Sequence, residues 1–147
     1  MQLFMPYPDV YRSAAVLDPV RLGKQRLEAY ECATAARRHP CVDAWQGAHT
    51  LAAHFGLACC MRYAGFRKRD GTPYDTERML VKLLPLAPGK AEHAPTPWWW
   101  GDDAVHTLYQ RWLVRKDPAF YGPVFDVEPL DVADFPWEVI VPGWVRR

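Results

Sequence analysis

Between Pro19 and Pro40 the chain has no other proline and one glycine, Gly23, and this stretch constrains the fold more than any other. Asp18 is placed to cap the free amides of a first helical turn, and Pro19 fits the first helical position, where no N–H is needed. Pro40 forbids continuation, so the sequence predicts a helix from about Pro19 to Arg38, ending at His39-Pro40. At about 100° per residue, Arg21, Gln25, Glu28 and Cys32 fall on one stripe, with Lys24 and Glu31 at its edge. Val20, Gly23, Leu27, Tyr30 and Thr34 point the other way, and this reading turns them toward the core. One acid, Glu28, then sits among cations on the solvent side. The plainer account of that face is helical charge pairing, Lys24 with Glu28, worth a few tenths of a kcal/mol.

Periodicity and punctuation set out the rest. Residues 1–12 hold Pro6 and Pro8 and alternate only weakly, which predicts an extended N-terminal arm. A second long helix is expected from about Asp43 to Tyr63, with Trp45, Leu51, Phe55, Leu57 and Met61 available to a core. Arg67-Lys68-Arg69-Asp70-Gly71-Thr72-Pro73 reads as a basic turn, followed by a short helix from Thr76 to Leu84 and a proline-rich loop from Pro85 to Pro97. A third main helix is expected from about Asp103 to Arg115, with Val105, Leu108, Trp112 and Leu113 facing inward. From Asp117 onward the chain is aromatic and interrupted by prolines, and is read as an irregular wrap. The expectation is a mainly α, compact single domain over residues 1–147, built on three main helices. A chain of this length can bury a true core.

Composition narrows the function classes. Half of the residues are hydrophobic and 14% are aromatic, which excludes disorder. No apolar run approaches the roughly 18 residues of a membrane span, and the N-terminus lacks the basic and apolar regions of a secretory signal. The expectation is a monomer that stays in the cytoplasm and has no membrane partner. Cys32, Cys41, Cys59 and Cys60 show no paired metal-site spacing and read as reduced, buried thiols. The five histidines form no His-x-x-x-His pair, so neither a metal nor another cofactor is expected. The net charge of +1 conceals an asymmetry. Residues 1–90 carry 13 Lys and Arg against 8 Asp and Glu, whereas residues 91–147 carry 5 against 9. A basic body can present one positive face to nucleic acid despite a neutral total.

Two further segments suit such a partner. Trp98-Trp99-Trp100 cannot send all three indoles into one core, so at least one should be exposed or line a cleft, where flat aromatics stack on bases. The alternative is that they plug the gap between helices and loop. Arg115 and Lys116 sit at a predicted helix C-terminus, where they complement the helix dipole. They are also placed to hold a phosphate backbone while Phe120 or Tyr121 stacks or wedges. Arg37, Arg38 and Arg67–Arg69 extend the same track or serve as ordinary solvated charge.

The opening Met-Gln-Leu-Phe-Met-Pro-Tyr-Pro-Asp, the block Arg21-Leu22-Gly23-Lys24-Gln25-Arg26-Leu27-Glu28, His39-Pro40 with Trp45, Pro97-Trp98 through Gly101-Asp102, and Arg115-Lys116-Asp117-Pro118 with Tyr121-Gly122-Pro123 together resemble a bacterial and phage family. That family is the pyrimidine-dimer DNA glycosylases of the endonuclease V type. The resemblance implies double-stranded DNA as substrate and a glycosylase with abasic-site lyase activity. It further implies an N-terminal α-amine as nucleophile, supplied here by Met1, and an essential glutamate in the first long helix, matched by Glu28. Gln2 should hinder removal of the initiator. An α-amine has a pKa of about 7.7–8.0, so a useful fraction is neutral near pH 7 and can attack a sugar carbon as a base leaves. The phage branch carries arginine where this chain has Gln2, Leu27 and Glu31; Arg21, Lys24 and Arg26 stand as the replacement phosphate contacts, and Gln2 and Gln25 are also expected to meet DNA. Two alternatives remain open: a glycosylase for a hypermodified pyrimidine, and a non-catalytic nucleic-acid-binding protein of the same fold.

Overall fold

The computed structural model describes residues 1–144, and among these it is mainly helical, with no strand and one isolated bridge between Arg67 and Pro73. The arm runs extended to Asp9, whose carboxylate caps a short helix, α1 (Val10–Ala15), that the sequence did not announce. Then comes α2 (Pro19–Thr34), with Asp18 accepting the Arg21 N–H and Pro19 at its first position. The helix ends at Thr34, before the expected Arg38, because Ala35 turns left-handed with φ 50°. Residues 35–38 are all exposed, so no buried face extends the helix past that point.

The second long helix divides in two. His39 caps α3 (Pro40–Ala44) with its ring, and a turn through Gly47, at φ 78°, leads into α4 (His49–Ala64). A left-handed turn is open to glycine at no steric cost, and it breaks the apolar run that periodicity had read as continuous. Next are α5 (Glu77–Leu83) and α6 (Asp103–Lys116), each close to its expected bounds. The supposed irregular wrap contains α7 (Pro118–Phe125), with Pro118 in its first turn, and the short α8 (Trp137–Ile140).

The central element is α4, buried almost all round from Leu51 to Cys60, with α1, α2 and α5 packed against it. All four cysteines are free and buried, as the sequence suggested. The packing face of α2 is the reverse of the expected one. Leu22, Gln25, Ala29 and Cys32 are buried, while Val20 and Leu27 are 64% and 46% exposed. The stripe carrying Gln25 is covered by the arm, whose Leu3, Phe4 and Met5 are themselves core residues. A polar side chain can occupy a buried stripe when its hydrogen bonds are met there, and those of Gln25 are.

Gly56 of α4 shows how closely the layers approach. A Cβ at this position would lie 2.9 Å from Ala29 Cβ of α2 and 2.9 Å from a Leu83 methyl of α5. Gly56→Ala brings a helix-propensity gain of about 1 kcal/mol. Overpacking costs about 1–3 kcal/mol, and Ala29 Cβ is fixed to its backbone and cannot rotate away. With so little room to relax the clash wins, and urea denaturation is expected to show the variant less stable by up to about 2 kcal/mol net.

The arm is fastened from both sides. On α6, His106 Nδ1 donates to the Met5 carbonyl at 2.7 Å while Nε2 accepts the Gly101 N–H at 3.2 Å, which fixes the tautomer. Gln110 donates to the Pro6 carbonyl at 2.9 Å. The opposite fastening, from α2, forms part of the site itself.

Candidate active site

Met1 ends the arm in a cavity of about 230 Å³ bordered by α2 and the end of α6. Gln2, Arg21, Lys24, Gln25, Glu28 and Lys116 line it with Met1. The organiser is Gln25. Its Oε1 accepts the buried Phe4 N–H at 2.7 Å, and its Nε2 donates to the Gln2 carbonyl at 2.7 Å and to Glu28 Oε2 at 2.9 Å. The same Glu28 oxygen accepts the Gln2 N–H at 3.3 Å. One amide side chain therefore holds both the N-terminal backbone and the carboxylate beside it. The Met1 side chain is held separately, its Sδ 3.4 Å from Arg37 Nη2, and Arg37 pairs with Glu31 at 3.2 Å. Asp18 positions Arg21 with an ion pair at 3.2 Å.

Burial raises the Glu28 pKa above the ordinary carboxylate value, with Glu31 adding to the rise. The Gln2 N–H, the charge of the Met1 amine and Lys24 oppose the rise without cancelling it. The amine is thus near enough to act on Glu28, yet among the described residues no ion pair joins the two. The amine also acts on a second group. Desolvation first, and then the amine and Arg37, lower the pKa of His39 and favour its neutral ring.

Of the residues singled out in the sequence, Met1, Gln2, Arg21, Lys24, Gln25, Glu28 and Lys116 meet at this cavity. Arg26 lies elsewhere, with its guanidinium 5.2 Å from the centre of the Tyr63 ring. Arg115 donates to the Leu130 carbonyl at 2.9 Å and so fastens the C-terminal segment. The tryptophans separate. Trp98 is 62% exposed, and Trp100 lines another cavity with Asp9 and Tyr11. Trp99 is wholly buried against Trp45, its indole donating to the Ala44 carbonyl at 2.8 Å.

The expectation that Trp99 and Tyr121 meet a base is corrected, since neither presents an open face. Tyr121 is wholly buried, accepts the Asp18 N–H at 2.9 Å and donates to the Asp18 carboxylate. Burial pushes its hydroxyl pKa up, so the proton stays on to make that bond. Its work is to join α7 to the start of α2. Gln25 is likewise committed to the arm. Sequence reasoning missed Phe4 and His39 as site neighbours, and it named Arg37 only as an extension of the phosphate track, not as the partner of the Met1 side chain. A glutamine in line with Leu22, Ala29 and Cys32 was the available signal that something polar must cover that stripe.

Residues 1–61 match the family described as pyrimidine dimer DNA glycosylase, which supports the resemblance read from the sequence. No curated protein and no solved structure matches the chain. The matched part carries the arm, α2, α3 and most of α4, and with them every lining residue of the cavity named above except Lys116.

Proposed function

We propose that the protein is a DNA glycosylase acting on damaged or modified pyrimidines, with an associated abasic-site lyase activity, through the Met1 α-amine and Glu28. The observation that carries this reading is the Gln25 clamp, which holds the N-terminal backbone and a carboxyl group whose pKa burial raises at one cationic cavity. The family match supports the same class of reaction.

In this mechanism Arg21, Lys24 and Lys116 grip phosphates and bring the deoxyribose C1′ to the amine. The neutral amine forms a bond to C1′ as the glycosidic bond breaks, and the bonding pair leaves with the base, which takes up a proton. Glu28 gives its proton to the ring oxygen as the ring opens, and the amine nitrogen loses one to leave a C1′ iminium. The Glu28 carboxylate then removes a C2′ proton, the 3′ phosphate departs by β-elimination, and water releases the amine. A carboxyl whose pKa is raised by burial holds its proton more readily than an exposed glutamate, which suits a group that gives a proton and later takes one.

Borohydride trapping tests the reading. A duplex with an abasic site or a thymine dimer is expected to give a covalent adduct whose peptide map places the DNA on Met1. Acetylating the amine should abolish the adduct while leaving salt-sensitive DNA binding in place. An adduct on a lysine, or trapping that survives acetylation, would overturn the assignment.

A further inference from the structure

Arg21 is held differently from the two lysines that share its cavity. Its Nη1 lies 3.2 Å from Asp18 Oδ2, and among the described residues no other cation of the cavity is joined to a carboxylate by an ion pair. Both partners are largely out of solvent, with side chains 19% and 8% exposed. A pair of this kind adds little stability, because desolvating two charges offsets most of their attraction. What it does is fix a plane. A guanidinium carries five N–H donors in a rigid fork, so engaging Nη1 sets the orientation of the others.

Asp18 is itself held, from the far end of the chain. The Tyr121 hydroxyl donates to Oδ2, the oxygen that takes Arg21, and accepts the Asp18 backbone N–H at 2.9 Å. Oδ1 accepts the Arg21 N–H at 3.1 Å, so the carboxylate cannot turn without breaking a helix cap. The tyrosine ring has no freedom to follow it. It is wholly buried, with Phe120 edge-on at 4.7 Å and Phe125 stacked at 6.0 Å between ring centres. One corner of the chain makes this possible: α6 ends by sending Lys116 to the cavity, Asp117 caps α7, and Tyr121, one turn further on, reaches Asp18.

We propose that Tyr121 and Asp18 are positioning residues for the reaction, which through Arg21 hold in place, before DNA arrives, the guanidinium that orients the phosphate beside the reacting sugar. This rests on the glycosylase reading and adds to it how the grip is preorganised. A fixed donor loses little entropy on meeting its ligand, and a misplacement of about 1 Å lowers a rate by about a hundredfold. Tyr121 lies outside the matched part of the chain, so residues 1–61 depend on α7 for this part of the site.

Asp18→Asn separates positioning from charge. Asparagine caps a helix as well as aspartate does, so α2 keeps its start, while Arg21 loses its ion pair and the cavity loses a nearby negative charge. On an abasic duplex kcat is expected to fall about tenfold or more while Kd holds or drops, since added positive charge favours phosphate binding. Tyr121→Phe should also lower kcat, with the charge unchanged. In an Arg21→Ala background both losses should shrink to within about twofold, whereas a merely structural Tyr121 or Asp18 would lower the rate there as much as in wild type. Losses that persist without Arg21, or an unchanged kcat in Asp18→Asn, would overturn the proposal. Should Tyr121→Phe not fold, the Asp18→Asn cycle decides alone. The Arg21 Nε–H NMR signal of the DNA-free protein gives a second readout, expected sharp and slow to exchange in wild type and averaged in both variants, and equal signals in all three would refute the positioning. A wild-type protein inactive on the abasic duplex would refute the glycosylase reading, and this signal would still decide whether Asp18 and Tyr121 fix Arg21.

Discussion

Glu28→Gln is expected to cut turnover by about 10²–10⁴, the range of a lost general acid or base, in a protein that is if anything more stable. The amide oxygen that replaces the carboxylate can still accept from Gln25 Nε2 and the Gln2 N–H, so the clamp survives. What disappears is the charge and the exchangeable proton. The stability effect follows from the direction of the pKa shift. An acid raised by folding is penalised only when ionised, so Glu28 costs the fold nothing below its unfolded pKa, and the penalty grows as pH rises through the folded value. The variant should therefore unfold at a higher temperature than wild type at pH 7, with the two converging below about pH 4. DNA binding should hold or tighten slightly with one less negative charge near phosphates. Kinetics on an abasic duplex and melting at both pH values check the two halves separately. Full activity would return Glu28 to a structural role. Unfolding at pH 7 would show that the clamp needs the carboxylate charge.

Much of the site could be read from the sequence because its chemistry is local to one helix and the residues at the chain start. Asp18 and Pro19 fix where α2 begins, and helical spacing then sets Arg21, Lys24, Gln25 and Glu28 along adjoining faces. The inward direction of those faces could not be read, because α2 is amphipathic only weakly and the arm that covers it has no helical period. Burial of Gln25 depends on hydrogen bonds to Gln2 and Phe4, partners more than twenty residues away in sequence. The aromatic segments failed for a related reason. Composition marks Trp99 and Tyr121 as large and polar-tipped, but only the tertiary fold supplies the Ala44 carbonyl and the Asp18 carboxylate that take up those tips. Phe135 and Trp137 lay in a stretch that offered no pattern, so their meeting with His39 and Met1 was out of reach.

The clamp makes Gln25→Leu the severest single change outside the reacting groups. Leucine nearly fills the volume but leaves the buried Phe4 N–H without its acceptor and removes the bond to the Gln2 carbonyl. One unmet buried donor costs about 1–3 kcal/mol. The arm has a cheaper response than bearing that cost, which is to lift its first residues from α2 while His106 and Gln110 keep hold of Met5 and Pro6. Global stability should then fall by only about 1–2 kcal/mol, at the low end of that range. Catalysis should fall much further, by about 10²-fold or more, since a displacement of roughly 1 Å at the nucleophile has that effect. Gln25→Glu separates the causes, because it keeps an acceptor for Phe4 but loses the donor to Gln2 and sets a second carboxylate against Glu28. It should fold better than the leucine variant and still react slowly. If Gln25→Leu cleaved an abasic duplex at the wild-type rate, the amine would not depend on this clamp, and the positioning of Met1 would rest on Arg37 and α6 instead.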